Sequence, residues 1–236
     1  MKNMKIMSFN TQHCLNYIER KIDFQVMADD IKKCNADVVG LNEMYDKGVH
    51  PDFDAQVRIL SEKTGLKYYY FAKTIEVGEN NPYGNGFLSR IPIMKAETIL
   101  IPNPEVKANS PYYETRCILK AQLENGVTVL VTHFGLTPEE QENAVKTVVK
   151  NLCDNNCILM GDFNVTPDNN LLLPIRERMR DTAQTFTKEL FSFPSDKPTR
   201  KIDYIFVSSD IEIVDADIPA IIASDHRPHT ATLMVK

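Results

Sequence analysis

The segment ILMGDFNVTP, residues 158–167, drives three apolar residues and a glycine straight into Asp162, Phe163 and Asn164, with a proline soon after. The apolar run reads as a buried strand, and side chains along a strand alternate between its two faces. On that geometry Asp162 and Asn164 point together while Phe163 turns back to the interior. A carboxylate and an amide therefore meet at a strand mouth where the chain turns. They can serve as a turn device or as part of a site, and the rest of the chain has to decide.

The same punctuation recurs along the chain. Strand-like stretches fall at 4–9, 37–42, 67–73, 85–89, 92–100, 116–123, 127–133, 157–161, 202–207 and 229–235. Asn10 follows the first and Asn42-Glu43 the second; His133 ends another, Asp203 opens KIDYIFVS, and Ser224-Asp225-His226 precedes the last. A lone carboxylate or histidine in such a place is more often a cap or a satisfied structural group. So many mouths with one chemistry point to a shared site.

Three helices are signalled. Phe24, Met27, Ala28, Ile31 and Cys34 share one face at helical spacing, a less regular stretch covers 53–64, and Thr137-Pro138-Glu139-Glu140 is a capping box with proline in the first turn. A weaker helix is expected over 168–180. Asn125-Gly126 between two alternating runs is a hairpin signal. Helices alternating with strands, mixed with hairpins, give α/β layers with largely antiparallel sheets. The stretches 101–114 and 192–200 read as loops, and nothing has the composition of a linker, so residues 1–236 are expected to form one domain.

The chain carries 27 basic and 32 acidic residues, a net charge of −5, which argues against avid charge-driven binding to nucleic acid. Its five cysteines, Cys14, Cys34, Cys117, Cys153 and Cys157, have no zinc-type spacing and read as reduced thiols of a cytoplasmic protein. No segment has the length of a membrane span, and the amino-terminal MKNMKIMSFN reads as a first strand rather than a signal peptide.

The mouth residues suit one chemistry. Hard oxygen ligands such as Glu43 and Asp225 select Mg²⁺ or Mn²⁺ over zinc. His133 and His226 can neutralise a phosphate or move a proton, Asn10 and Asn164 can donate to phosphoryl oxygens, and Asp203 can fix a histidine's tautomer. That set describes metal-assisted hydrolysis of a phosphate ester. No G-x-S-x-G is present, and Ser224, Asp225 and His226 are neighbours in sequence rather than a triad.

In order, SFN (8–10), LNE (41–43), YGNGFLSR (83–90), ETR (114–116), THFG (132–135), GDFN (161–164), KIDYIF (201–206) and SDHRP (224–228) resemble the endonuclease/exonuclease/phosphatase superfamily, which includes DNase I, AP endonucleases, sphingomyelinases and inositol-polyphosphate phosphatases. The resemblance implies a four-layer α/β sandwich, two packed mixed β-sheets flanked by helices. It implies that Glu43 is the principal Mg²⁺ ligand, with Asn10 at the metal and phosphate and Asp225 a second carboxylate on the metal side. Asp162 would orient or activate the attacking water, and Asn164 would bind phosphate. His226, oriented by Asp203, would bind phosphate or exchange protons, and His133 would be the second active-site histidine. Asn85 and Arg116 are expected to face substrate; Asn85 replaces a glutamate of the DNase I pattern, and its amide would hold His133. The AP-endonuclease branch usually has Trp in the first motif, where this chain has Phe9 and contains no Trp at all.

The leading expectation is a Mg²⁺-dependent hydrolase, with Mn²⁺ able to substitute, acting as a monomer on a small-molecule or lipid head-group phosphoester. The alternative is a DNase I-like nuclease; a silent scaffold is disfavoured because every ligand type is retained. Two features bear on substrate. Lys197, Arg200 and Lys201 precede Asp203 and could meet an anionic head group, and Tyr68–Phe71 could wall a ring-shaped leaving group, although core on both faces fits that run better.

Overall fold

The computed structural model describes residues 2–105 and 113–235, so residues 106–112 of the expected 101–114 loop lie outside the described residues. Twelve strands are present among the described residues. In chain order they are β1 (Lys2–Asn10), β2 (Val38–Tyr45), β3 (Tyr68–Glu76), β4 (Pro82–Ser89), β5 (Ile93–Leu100), β6 (Cys117–Leu123), β7 (Thr128–His133), β8 (Cys157–Asp162), β9 (Arg180–Asp181), β10 (Asp203–Val207), β11 (Glu212–Asp217) and β12 (His229–Val235). The helices are α1 (Phe24–Cys34), α2 (Gln56–Thr64), α3 (Pro138–Asn151) and the single turn α4 (Leu173–Arg176).

Two mixed six-stranded sheets result, ordered β11-β12-β1-β2-β4-β3 and β5-β6-β7-β8-β10-β9. Their facing sides bury one core, with Ile6, Val38, Phe87 and Leu233 from the first sheet against Leu119, Val129, Val131, Met160 and Ile205 from the second. Outside the first sheet, Met27 and Ile31 of α1 and Val57 and Leu60 of α2 cover Met7, Phe9 and Leu41. Outside the second, Val145 and Val148 of α3 cover Leu130, Leu159 and Phe206. Each sheet is apolar on both faces because each is sandwiched, which is why β7 and β8 read as unbroken apolar runs. The four-layer α/β sandwich is therefore the observed fold.

Local rules account for the elements. Asp23 caps α1 by accepting from Gln25 N and Val26 N, and Asn35 closes it in the left-handed conformation. The expected capping box opens α3: Thr137 and Glu140 satisfy each other's backbone. Gly126, at φ +83°, turns β6 into β7. The helix expected over 168–180 is mostly absent. Asn169 caps a three-residue 3₁₀ turn at Asn170–Leu172, α4 ends at Arg176, and Arg180 already lies in β9.

The two parallel pairs set the site. β1 runs parallel to β2 with Asn10 beside Asn42, and β7 runs parallel to β8 with His133 beside Asp162. Antiparallel β10 brings Asp203 beside Asp162, and β12 begins next to Ser8 at the same end of the sandwich. The strand mouths thus converge on one end of the double sheet.

Candidate active site

β2 needs an irregularity to aim its last residues. Pairing with β4 slips between Leu41 and Met44, and Glu43 has φ +59°, a left-handed conformation uncommon for a non-glycine residue. The bulge lets consecutive residues serve one site, which strict alternation forbids. Asn42 is buried, donating to the Thr132 carbonyl and accepting from Asp162 N at 3.0 Å. Glu43 Oε1 accepts from Asn10 Nδ2 at 2.9 Å.

Asp162 is the hub. Its Oδ2 accepts from Asn10 Nδ2 at 3.1 Å and lies 3.6 Å from Nε2 of both His133 and His226. Its Oδ1 accepts from Asn164 N at 2.9 Å. That last bond corrects the reading of GDFN: β8 ends at Asp162, and Asn164, at φ +53°, reaches the site through a turn closed by the Asp162 carboxylate, not by strand alternation. The convergence stands. Asn164 Nδ2 lies 3.2 Å from His133 Nε2 and donates to the Phe134 carbonyl, while Phe163 packs inward against Phe134 and Tyr204. Gly161 is required because a Cβ there would sit 1.8 Å from the Thr132 carbonyl oxygen, at φ +145°.

The two histidines are tuned oppositely. Asp203, fully buried, accepts from His226 Nδ1 at 2.8 Å. Burial pulls the His226 pKa down, but Asp203 and Asp162 overturn that and raise it well above the ordinary range, so the ring is an imidazolium. His133 is driven well below the ordinary range by burial, by Arg116 and by His226. Arg116 Nη1 donates to His133 Nδ1 at 2.8 Å and pairs with Glu114 at 2.6 Å. A guanidinium only donates, so the neutral ring carries its proton on Nε2, facing Asp162. Asp162 itself is shifted upward, by burial first and then by Asp203.

Asn85 does not reach His133. Its amide donates to the Cys117 carbonyl and accepts from Asn42, one layer beneath the site, while Arg116 takes the histidine. β4 places Asn85 opposite Ala72 and next to the β2 bulge, short of the β7 mouth. Lys201 is no head-group contact either: it is buried, paired with Asp181 at 3.4 Å and seated 3.4 Å from the Tyr204 ring centroid. The Tyr68–Phe71 run sits at the wrong end, since Tyr68 aligns with Ser89 and hence with Val38, where β2 starts rather than ends. Sequence reasoning placed Asn42 at a strand mouth, in LNE beside Glu43, but gave it no role in the site. It also missed Phe193, whose ring lies 4.8 Å from that of His226, and no sequence signal marks that contact.

The donor set suits a hard divalent cation. Glu43 is shifted upward by burial and by Asp225, so these acids repel and gain from a positive charge between them. Asn10 spends its Nδ2 on two carboxylates and its Oδ1 on Gln12 N, and so positions Glu43 and Asp162. Asp162, Asp203 and His226 also gather ligand atoms within 4.8 Å of one another and could hold an ion; the Asp203–His226 hydrogen bond uses Oδ2 and Nδ1, while Asp203 Oδ1 is buried without a hydrogen-bond partner among the described residues.

A double sheet whose strand mouths gather acids, amides and two histidines defines a phosphoesterase-type sandwich. The model of the Endonuclease/Exonuclease/phosphatase family matches residues 7–226, and the chain belongs to that family. Family membership supports phosphoester hydrolysis in general. No curated protein matches by sequence. Among solved structures, the chain is similar to an endonuclease/exonuclease/phosphatase from Beutenbergia cavernae (20% identity, all of this chain and 72% of that one, TM-score 0.80). It is also similar to a mannosyl-6-phosphatase from Bacteroides thetaiotaomicron (15%, 98% and 100%, TM-score 0.74). A third likeness is to D. rerio TDP2 complexed with single-strand DNA product (15%, all of both chains, TM-score 0.68). At these identities the likeness carries the fold. No helix among the described residues is long and apolar enough to cross a membrane.

Proposed function

We propose that the chain is a divalent-metal-dependent hydrolase of small phosphoesters, Mg²⁺ being the ordinary ion and Mn²⁺ a substitute. The observation that carries this is the convergence of Asn10, His133 and His226 on the Asp162 carboxylate. An acceptor-only group held between one neutral and one charged imidazole can orient a water and draw its proton. His226, locked as an imidazolium by Asp203, supplies positive charge and an Nε2–H to a phosphoryl oxygen. Asn164 adds an amide, and His133 keeps its Nε2–H on the same side. Glu43 and Asp225 would hold the ion, which supplies Lewis-acid polarisation of the phosphoryl group.

A small ester is favoured over duplex nucleic acid because the chain carries a net charge of −5 and, of the basic group beside Asp203, Lys201 is sequestered, leaving only Lys197 and Arg200 exposed. The similarity to a protein named mannosyl-6-phosphatase agrees with that choice. The test is a panel of plasmid DNA, an abasic duplex, sphingomyelin, inositol phosphates and sugar phosphates, assayed with Mg²⁺ and with EDTA. Turnover of a small ester that EDTA abolishes and Mg²⁺ or Mn²⁺ restores is expected. Full activity in EDTA refutes the metal, and salt-sensitive plasmid nicking lost in Asp162→Asn makes the protein a nuclease.

A further inference from the structure

Beside the reaction centre lies a cavity of about 660 Å³ to which no role has yet been given, lined by residues including His13, Arg20, Lys21, Tyr45, His50 and Phe53. Its wall is a stack of three rings: His13 lies on Tyr45 at 4.8 Å and 11°, and Tyr45 on Phe53 at 4.0 Å and 21°. The stack is built in. Gln12, His13 and Cys14 run consecutively through the left-handed region, at φ +46°, +47° and +62°, a conformation that costs each residue free energy and survives only where its surroundings enforce it. Gln56, fully buried, enforces it here by donating to the His13 carbonyl at 2.8 Å and accepting from Tyr45 N at 2.9 Å.

The stack is continuous with the site. Gln12 N donates to Asn10 Oδ1, and Tyr45 stands two residues beyond Glu43 on β2. Tyr45 also contacts Tyr83, at 6.0 Å. Burial keeps His13 below its ordinary pKa, so its ring presents a neutral face despite the pull of Asp225.

We infer that this cavity receives the non-reacting part of the ester, and that the part it fits is a single hydroxylated ring carried by a sugar or cyclitol phosphate. The inference rests on the phosphoesterase reading above. The volume suits one small ligand and not a duplex. Tyr45 is covered on both faces by His13 and Phe53, and Phe53 is buried, so the flat face left for a sugar's C–H groups is at the His13 end of the stack, while His50, Asp52, Arg20 and Lys21 offer partners for hydroxyls. The cations Arg20 and Lys21 on the lining disfavour a quaternary ammonium head group, which an aromatic cage would otherwise attract.

Two readouts test it. With Mg²⁺, kcat/KM for a hexose 6-phosphate should exceed that for glycerol phosphate and phosphocholine by about tenfold. Tyr45→Leu and, separately, His13→Ser should erase that preference while glycerol phosphate turnover stays within about twofold of wild type, which also shows that each variant folds. Equal turnover of the three esters by wild type, or a preference intact in both variants, overturns the inference. The second readout needs no turnover: His13 ring resonances should shift on adding the hexose phosphate to metal-free protein and stay still with glycerol phosphate. No shift with the ring compound refutes the pocket whatever the activity. A shift from a protein that hydrolyses no phosphoester upholds the pocket and sinks the phosphoesterase reading alone.

Discussion

Asp203 and His226 should behave as one unit in catalysis, and their geometry sets how strongly. Their contact is 2.8 Å long, with side chains 0% and 5% exposed. At an effective dielectric of about 20, opposite charges at that distance attract by about 6 kcal/mol. Desolvation of both groups returns part of that, and close buried pairs couple by about 1.5–7 kcal/mol. Half the gross value, about 3 kcal/mol, corresponds to roughly a 100-fold departure from independence. Asp203→Asn and His226→Ala should each lower kcat/KM by about 10²–10³. The double variant should lie within about tenfold of the worse single. The assay is the initial rate on the best ester of the panel at saturating Mg²⁺, with circular dichroism to confirm folding. A double variant whose loss equals the product of the single losses would refute the unit and leave Asp203 as a strand-end group only.

Further outcomes follow from the buried layers. His229 accepts from Thr182 Oγ1, donates to the Asp203 carbonyl, and is pushed down to about 4 by burial and by Lys201. Unfolded chains bind its proton below about pH 6.5 and the folded state does not, so this group's contribution to metal-free stability should fall between about pH 6.5 and 4. Urea midpoints should show His229→Asn losing about 2–3 kcal/mol less than wild type over that window, and equal losses would contradict the assignment. Gly161→Ala should cost about 3 kcal/mol or more, because the Cβ meets the Thr132 carbonyl and the φ is unfavourable; an unchanged urea midpoint would show that β7 and β8 separate easily.

The layers were legible where burial wrote them as apolar runs, as in VTVLVT and CILMG, and where end signals were local, as in the Thr137–Glu140 box. β11, EIVDAD, escaped notice because an edge strand with charged residues lacks the alternation of a buried one. The helix expected over 168–180 failed for a related reason: periodicity there was weak, and Asn169 and Pro174 favoured short turns. Within the site, residue types at strand mouths were readable, but contacts made by long side chains were not. Arg116 rather than Asn85 holds His133 because reach depends on three-dimensional register, which spacing in sequence does not contain. The His13–Tyr45–Phe53 stack was hidden for a different reason, since a run of left-handed residues has no compositional signature when none is glycine.

β12 is made last among the strands yet sits between β11 and β1, pairing with β1 from Lys2↔Val235 to Ser8↔His229. During synthesis on the ribosome, the first sheet must therefore wait with a gap beside its oldest strand, and Ile6 has no Ala231 opposite it until the last strand emerges. His226 enters with that strand. A nascent chain released before β12 would hold most of both sheets but lack the imidazolium, so closure of the gap beside β1 and arrival of the chemistry are the same event. Such long sequence separation also slows folding and leaves the edges of β1 and β11 open to wrong partners in the interval.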